Sequence, residues 1–340
     1  MFRVPDLELP PDHPDRAVLG AIARNLDISA DRLALAGSMP EYVRHALAWR
    51  PQVHDSRQQS LTDRFLTPVL PALHALFLQL RAELDPVLRQ AKPARGSEPY
   101  PIGQCLEITQ AVQARLEGLD PAGLSGPAAR AFAALRDFRA AGGDLRRAWG
   151  DLRGEYFQNA LIVGALYVDV SNDAVVVTKP PVEIRPFAEA DFKPIADHLH
   201  FVRIATRYWN LRFLPNHFLP DLAPYFPLIH IAADGGMRVG PLDTYMLGVT
   251  LAGRFQSSEQ ALCASPLPPD TFASLGAAMR GGPVPVAASA EQGREAALAR
   301  CRAWRAEGRF DCAASFNRAM AAAHDINRRL AGTAAIARTA

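Results

Sequence analysis

Apolar residues along this chain change their spacing twice, from helical to strand-like and back. Between Ser60 and Gln90, the residues Leu70, Leu73, Phe77, Leu80 and Leu84 fall three or four apart, the stripe of an amphipathic helix. Pro68 and Pro71 should kink or divide it. Short helices are expected before Trp49, one capped by Asp31 and one opening at Pro40, after an extended arm over residues 1–15. The stretch from Ala91 to Pro99 is a linker by composition. A helix then begins at Cys105, with Ile108, Val112 and Leu116 on the face of the cysteine, and another runs from Ala128 to Ala140 until Gly142-Gly143 stops it.

The period then becomes two. Tyr156–Val163 and Leu166–Val170 are apolar, β-branched and aromatic, and Gly164-Ala165 between them predicts a tight hairpin. Ala174–Thr178 and Val182–Arg185 predict two further strands. Beyond Pro186 the helical period returns over Ile195–Leu214, Thr271–Met279, Glu291–Arg305 and Ala313–Leu330, with a short strand at Leu228–Ala232. The fold class is therefore α+β. A helical N-terminal region covers 1–92. A small antiparallel sheet packed on a cysteine-bearing helix covers 93–186, and a mainly helical region covers 187–340.

Composition narrows the functional classes. The formal charge of the 340 residues is +2 and the basic residues are scattered, so no nucleic-acid partner is expected. Charges and prolines at Met1–Asp12 are unlike a signal peptide. Apolar runs such as Ala160–Val168 are too short to span a bilayer, so no membrane partner is expected and the predicted location is the cytoplasm. The preference for arginine and alanine reads as coding bias of a bacterial style. Cys105, Cys263, Cys301 and Cys312 lack CxxC spacing, so free thiols are expected rather than a zinc knuckle or a disulfide framework.

The densest chemistry lies at Tyr100-Pro-Ile-Gly-Gln-Cys105. A cysteine in the first turn of a helix sits beside unpaired N–H groups and partial positive charge, where a thiol ionises most easily. This run, the helix behind it and the later hairpin resemble the transglutaminase-like branch of the papain-type cysteine fold, over roughly residues 96–185. The resemblance implies a cysteine facing an antiparallel sheet, with a histidine on one strand and an aspartate or asparagine on its neighbour. Asp169 falls where the acid would lie. Gln158 stands where the histidine is expected, 53 residues after Cys105 and 11 before Asp169. The implied catalytic set is Cys105, Gln158 and Asp169, with Gln104 or backbone N–H groups stabilising an oxyanion. Glutamine accepts no proton at neutral pH. Three readings stay open for Cys105: a nucleophile attacking an amide or thioester carbonyl with a base from elsewhere, a degenerate site that still binds, or a packed core residue.

Two other sets are candidates. His198, His200, His217 and His230, with carboxylates such as Glu107, Glu155 and Asp169, could supply an iron site for an oxidase or hydrolase, although no Glu-x-x-His or HExxH spacing occurs. Absent iron, no cofactor is expected. His198 with Asp197 reads as a solvated pair and His200 as the packed one. Arg203 and Arg207, one turn apart, are with His200 the candidate substrate-binding residues for a phosphate or carboxylate on a small molecule or peptide. The remaining reading is a non-catalytic binding module.

Overall fold

The computed structural model describes residues 38–95, 98–232, 235–240 and 243–339. The expected extended arm and the Asp31-capped helix lie outside them. The fold is α+β, as the spacing predicts. Helix α1 (Met39–Leu47) opens the described chain, with the Ser38 hydroxyl accepting from Glu41 N–H and Pro40 in the first turn. The chain divides into two compact units, one holding residues 49–194 and the other 38–48 and 195–339.

In the first unit, α2 (Arg57–Phe65) ends in a 3₁₀ turn at Thr67–Val69 and α3 (Leu70–Ala91) follows. Pro68 lies in that turn and Pro71 in the first turn of α3, so the prolines divide the helical region as expected. Arg57–Ala91 is the one stretch among the described residues long and apolar enough to cross a membrane. Its stripe of Leu73, Leu76, Phe77, Leu80 and Leu84 is buried in this unit's core. A short ladder of β1 (Ala94–Arg95) and β2 (Glu98–Pro99) leads to α4 (Cys105–Glu117), and α5 (Gly126–Ala140) packs beside α3.

The sheet is built from β3 (Leu145–Leu152), β4 (Tyr156–Val163), β5 (Leu166–Asp169), β6 (Glu183–Pro186) and β7 (Phe192–Lys193). Its order is β6-β5-β4-β3-β7, antiparallel throughout. Val163 pairs with Leu166 across the two-residue turn, where Gly164 has φ 61° and a Cβ would lie 2.3 Å from Thr62 Oγ1. The predicted hairpin is present.

Two differences have physical causes. Strand β3 breaks the apolar pattern with Arg146, Arg147 and Gly150. Arg146 Nη1 donates to Arg50 O at 2.9 Å, and Arg147 lies 4.0 Å over the Trp49 ring. Gly150 is required because a Cβ there would meet Lys193 O of β7 at 2.3 Å. The expected strand at Ala174–Thr178 is absent. That segment forms a 3₁₀ turn at Asn172–Ala174 followed by turns, with Val177 63% exposed. The turn is pinned by Arg81 of α3, whose guanidinium donates to both Asp173 carboxylate oxygens at 2.9 Å and to Val170 O at 2.7 Å.

In the second unit, α6 (His198–Tyr208) stops earlier than the expected Leu214, and the chain continues as β8 (Arg212–Pro215). With β9 (Leu228–Ile231) and β10 (Met237–Val239) it forms an antiparallel sheet of order β10-β9-β8. Five helices follow: α7 (Thr244–Ala252), α8 (Gln256–Leu262), α9 (Pro269–Ala277), α10 (Ala290–Ala306) and α11 (Ala313–Thr339). Aromatic packing centres their core, with Phe218 stacked on Phe272 at 4.5 Å and Tyr225 edge-on to Phe255 at 5.1 Å.

Arg81 is 1% exposed, so removing it strands Asp173 and the Val170 carbonyl without a donor. Arg81→Leu should lower the unfolding free energy by about 3 kcal/mol, read from the urea midpoint.

Candidate functional site

Cys105 is the first residue of α4 and is 7% exposed. Its apolar neighbours on the helix, Ile108 and Val112, pack in one core with Leu161 and Val163 of β4 and Val168 of β5. Side chains alternate along a strand, so the odd-numbered residues of β4 face α4 and the even-numbered ones face away. The polar residue opposite the sulfur is therefore Asn159, whose Nδ2 donates to Cys105 Sγ at 3.4 Å. Helix and strand are pinned beside it, where Thr109 Oγ1 donates to Asn159 O at 3.1 Å.

Gln158 lies by its parity on the other face of β4, the face of Ala160 and Ile162. Its Nε2 donates to Asp169 Oδ2 at 2.7 Å and to Ser171 O at 3.1 Å, and its buried Oε1 has no partner among the described residues. Asp169 also accepts from Tyr167 OH at 2.8 Å and, through Oδ1, from Ser171 N at 2.8 Å and Ser171 Oγ at 3.2 Å. The structure thus joins Gln158 to Asp169 and places that pair across the sheet from Cys105. Ser171 is the link back, because its hydroxyl also reaches Asn159 O at 3.3 Å and Thr109 Oγ1 at 3.4 Å. Gln104 is 1% exposed and its amide donates to Lys92 O at 3.0 Å, which ties the loop before α4 to the end of α3.

Burial governs the electrostatics. It pushes the Cys105 thiol up from its ordinary value, the Asn159 hydrogen bonds oppose this, and the charges of Glu107 and Asp169 add to it. The helix N-terminus, expected to favour the thiolate, does not outweigh desolvation. Asp169 is pushed up from 3.8 to about 6 by burial, against the pull of its four donors. Two described histidines belong to this unit and both are engaged elsewhere. His54 Nδ1 lies 3.1 Å from Asp144, and His74 Nε2 lies 3.3 Å from Val182 O.

Sequence reasoning missed Asn159, Thr109, Ser171 and Tyr167. The parity of β4 held the signal for Asn159: Leu161 and Val163 must cover the apolar face of the cysteine helix, and Asn159 shares their parity.

The other candidates lie in the second unit. Arg203 and Arg207 are exposed on α6, and half-buried His200 accepts from Ala196 N–H through Nδ1 at 3.2 Å. The expected roles of the two neighbouring histidines are reversed: His198 is the packed one, at 6% exposure. Asp197 caps α6 by accepting from His200 N–H at 2.7 Å, and this turns His198 inward, where its Nε2 pairs with Thr250 Oγ1 at 2.9 Å.

His198, His230 and Thr250 line a cavity with Phe201, Phe213, Tyr225, Phe226, Met246 and Leu247. Its volume for a water-sized molecule is about 30 Å³, and the unfilled space including the open mouth is about 370 Å³. Burial lowers both histidines from 6.5 to about 4, opposed at His198 by Asp197 and reinforced at His230 by Arg238. His217 is absent from the lining and bonds Leu262 O at 2.9 Å through Nε2. Among the described residues no carboxylate lines the cavity and no three metal-ligating side chains cluster, so the described donor set does not fit two-histidine, one-carboxylate iron. A shallower groove of about 400 Å³ in the first unit, between Val53, Gln59 and Phe187, is not lined by Cys105, Asn159 or Asp169.

Comparison of the chain with protein-family models, with curated proteins and with solved structures finds no match.

Because the carboxyl of Asp169 is raised, the folded chain binds a proton between about pH 4 and 6 that the unfolded chain does not. Its contribution therefore falls as pH rises through that window. His198 and His230 act with the opposite sign between about 4 and 6.5, where only the unfolded chain is charged. The Asp169 term emerges as a difference. From pH 4 to pH 6 the stability of wild type relative to Asp169→Asn should fall by about 2–3 kcal/mol and then stay level, in urea titrations at stepped pH.

Proposed function

We propose that this chain is a cytoplasmic, non-catalytic small-molecule binding module, in which the cysteine position resembling a transglutaminase-like nucleophile serves packing. One observation carries the reading: the side chain facing Cys105 Sγ is the amide of Asn159, which donates to the sulfur at 3.4 Å and cannot take its proton. Gln158 and Asp169, the residues matching the family's base and acid positions, point to the far face of the sheet. A buried thiol raised by desolvation and facing an amide holds its proton at neutral pH.

Iodoacetamide labelling of native protein across pH, followed by mass spectrometry, tests this. Exposed Cys263 should label readily and serves as the internal reference. Cys105 should label only on unfolding, and Cys105→Ala should cost about 1–2 kcal/mol of stability through lost packing. Fast labelling of Cys105 in the native protein, with an apparent pKa below the roughly 8.5 of a free thiol, would sink the reading. It would restore an acyltransferase or hydrolase that attacks an amide or thioester.

A further inference from the structure

Ser171 has one hydroxyl hydrogen and three acceptors within reach. Its wholly buried Oγ lies 3.2 Å from Asp169 Oδ1, 3.3 Å from Asn159 O and 3.4 Å from Thr109 Oγ1. A single hydrogen serves only one of them well at a time. An ionised carboxylate is the strongest acceptor of the three, so the hydroxyl turns to Asp169 while that side chain is charged. Protonation reverses the demand, because the new O–H needs an acceptor of its own. Oδ2 is already met by two donors, Gln158 Nε2 and the Tyr167 hydroxyl, whose hydrogen has no other acceptor among the described residues. Oδ1 faces Ser171 Oγ, which accepts as readily as it donates and has Asn159 O to receive its displaced hydrogen.

We propose that Ser171 is a proton-operated hydroxyl switch between the two faces of the sheet. With Asp169 ionised, the serine hydrogen points to Oδ1. With Asp169 protonated, the carboxyl donates to Ser171 Oγ and the serine hydrogen turns to Asn159 O. No heavy atom has to move, and the proton taken up stays on Asp169. The charge of a carboxyl on the far face is thereby reported to the carbonyl of the residue whose amide holds Cys105 Sγ. Neighbouring groups leave Asp169 as the one that titrates. Tyr167 and Cys105 are both raised by burial and keep their protons. Glu183, opposite Asp169 on β6, is paired by Arg153 at 2.8 Å and Arg185 at 2.7 Å. Beyond Val170, Arg81 is paired with Asp173, and on α4 Glu107 is paired with Lys92. Burial pushes Asp169 up to about 6, so the switch turns near that pH. It operates whatever the chain binds.

Carbon-13 NMR of the full, uniformly labelled chain, titrated between about pH 4 and 8, tests the switch. The Asp169 side-chain carboxyl and the Asn159 backbone carbonyl should titrate with one shared midpoint. The Asn159 signal should move downfield in acid, as it gains a hydrogen bond. In Ser171→Ala, Asp169 should still titrate while the Asn159 carbonyl stays still. Ser171→Thr keeps a hydroxyl and should keep the coupling. Asp169→Asn should abolish the Asn159 titration, which gives a second check should Ser171→Ala not fold. The proposal is overturned if the Asn159 carbonyl does not follow Asp169 in wild type. It is equally overturned if the carbonyl follows undiminished in Ser171→Ala, where only the field of the carboxylate remains, or still titrates in Asp169→Asn.

Discussion

Strand β4 is buried on both faces along nearly its whole length, and it carries two adjacent amides in its middle. The polar groups around the cysteine helix are arranged by satisfying them. A buried amide without a partner costs about 1–3 kcal/mol, and the pleat sends consecutive residues in opposite directions. One amide is therefore answered from each side. Asn159 is met by the sulfur at the start of α4, and Gln158 by the carboxylate at the end of β5. Ser171 closes the circuit around the strand end, bonding both Asp169 and the Asn159 carbonyl. These hydrogen bonds limit the cost of burial, and Gln158 Oε1 alone of the two amides' side-chain oxygens is buried without a partner among the described residues.

Magnitudes decide how these groups ionise. A helix N-terminus favours a negative charge by about 0.3–1 kcal/mol at an exposed position and about 2 in favourable, partly buried geometry. Removing a charge from water costs several kcal/mol. Cys105 has only the side-chain and backbone hydrogen bonds of Asn159 to oppose it, so burial wins and the thiol stays protonated. Asp169 has four donors and remains able to ionise near pH 6 despite total burial. His198 and His230 face the same desolvation with little to oppose it, and both stay neutral at physiological pH.

What the sequence made legible were features with local causes. The stripe of α3, its division at Pro68 and Pro71, the Gly164-Ala165 hairpin and the closing helices are set by spacing and turn chemistry within a few residues. What it hid depends on distant parts of the chain. Strand β3 reads as polar until Trp49, Arg50 and the backbone of β7 are brought beside it. The valines after Ala174 look like a strand until Arg81, some ninety residues earlier, pins the preceding turn. Nothing near His198 signals that Thr250 and Ser257 will enclose it. The surroundings of the sulfur were hidden for a different reason. Distance along the chain brought Gln158 to the family's base position, whereas the pleat gives the place beside the sulfur to Asn159.

The unpartnered nitrogen of His230 also bears on how this protein responds to redesign. A procedure that rewards stability alone would replace that imidazole with an aliphatic side chain and find the change favourable. The fold would survive, and His198 with Thr250 would remain as the polar lining of that cavity. Tolerance to heat and the polarity of a buried space are thus set against each other at a single atom.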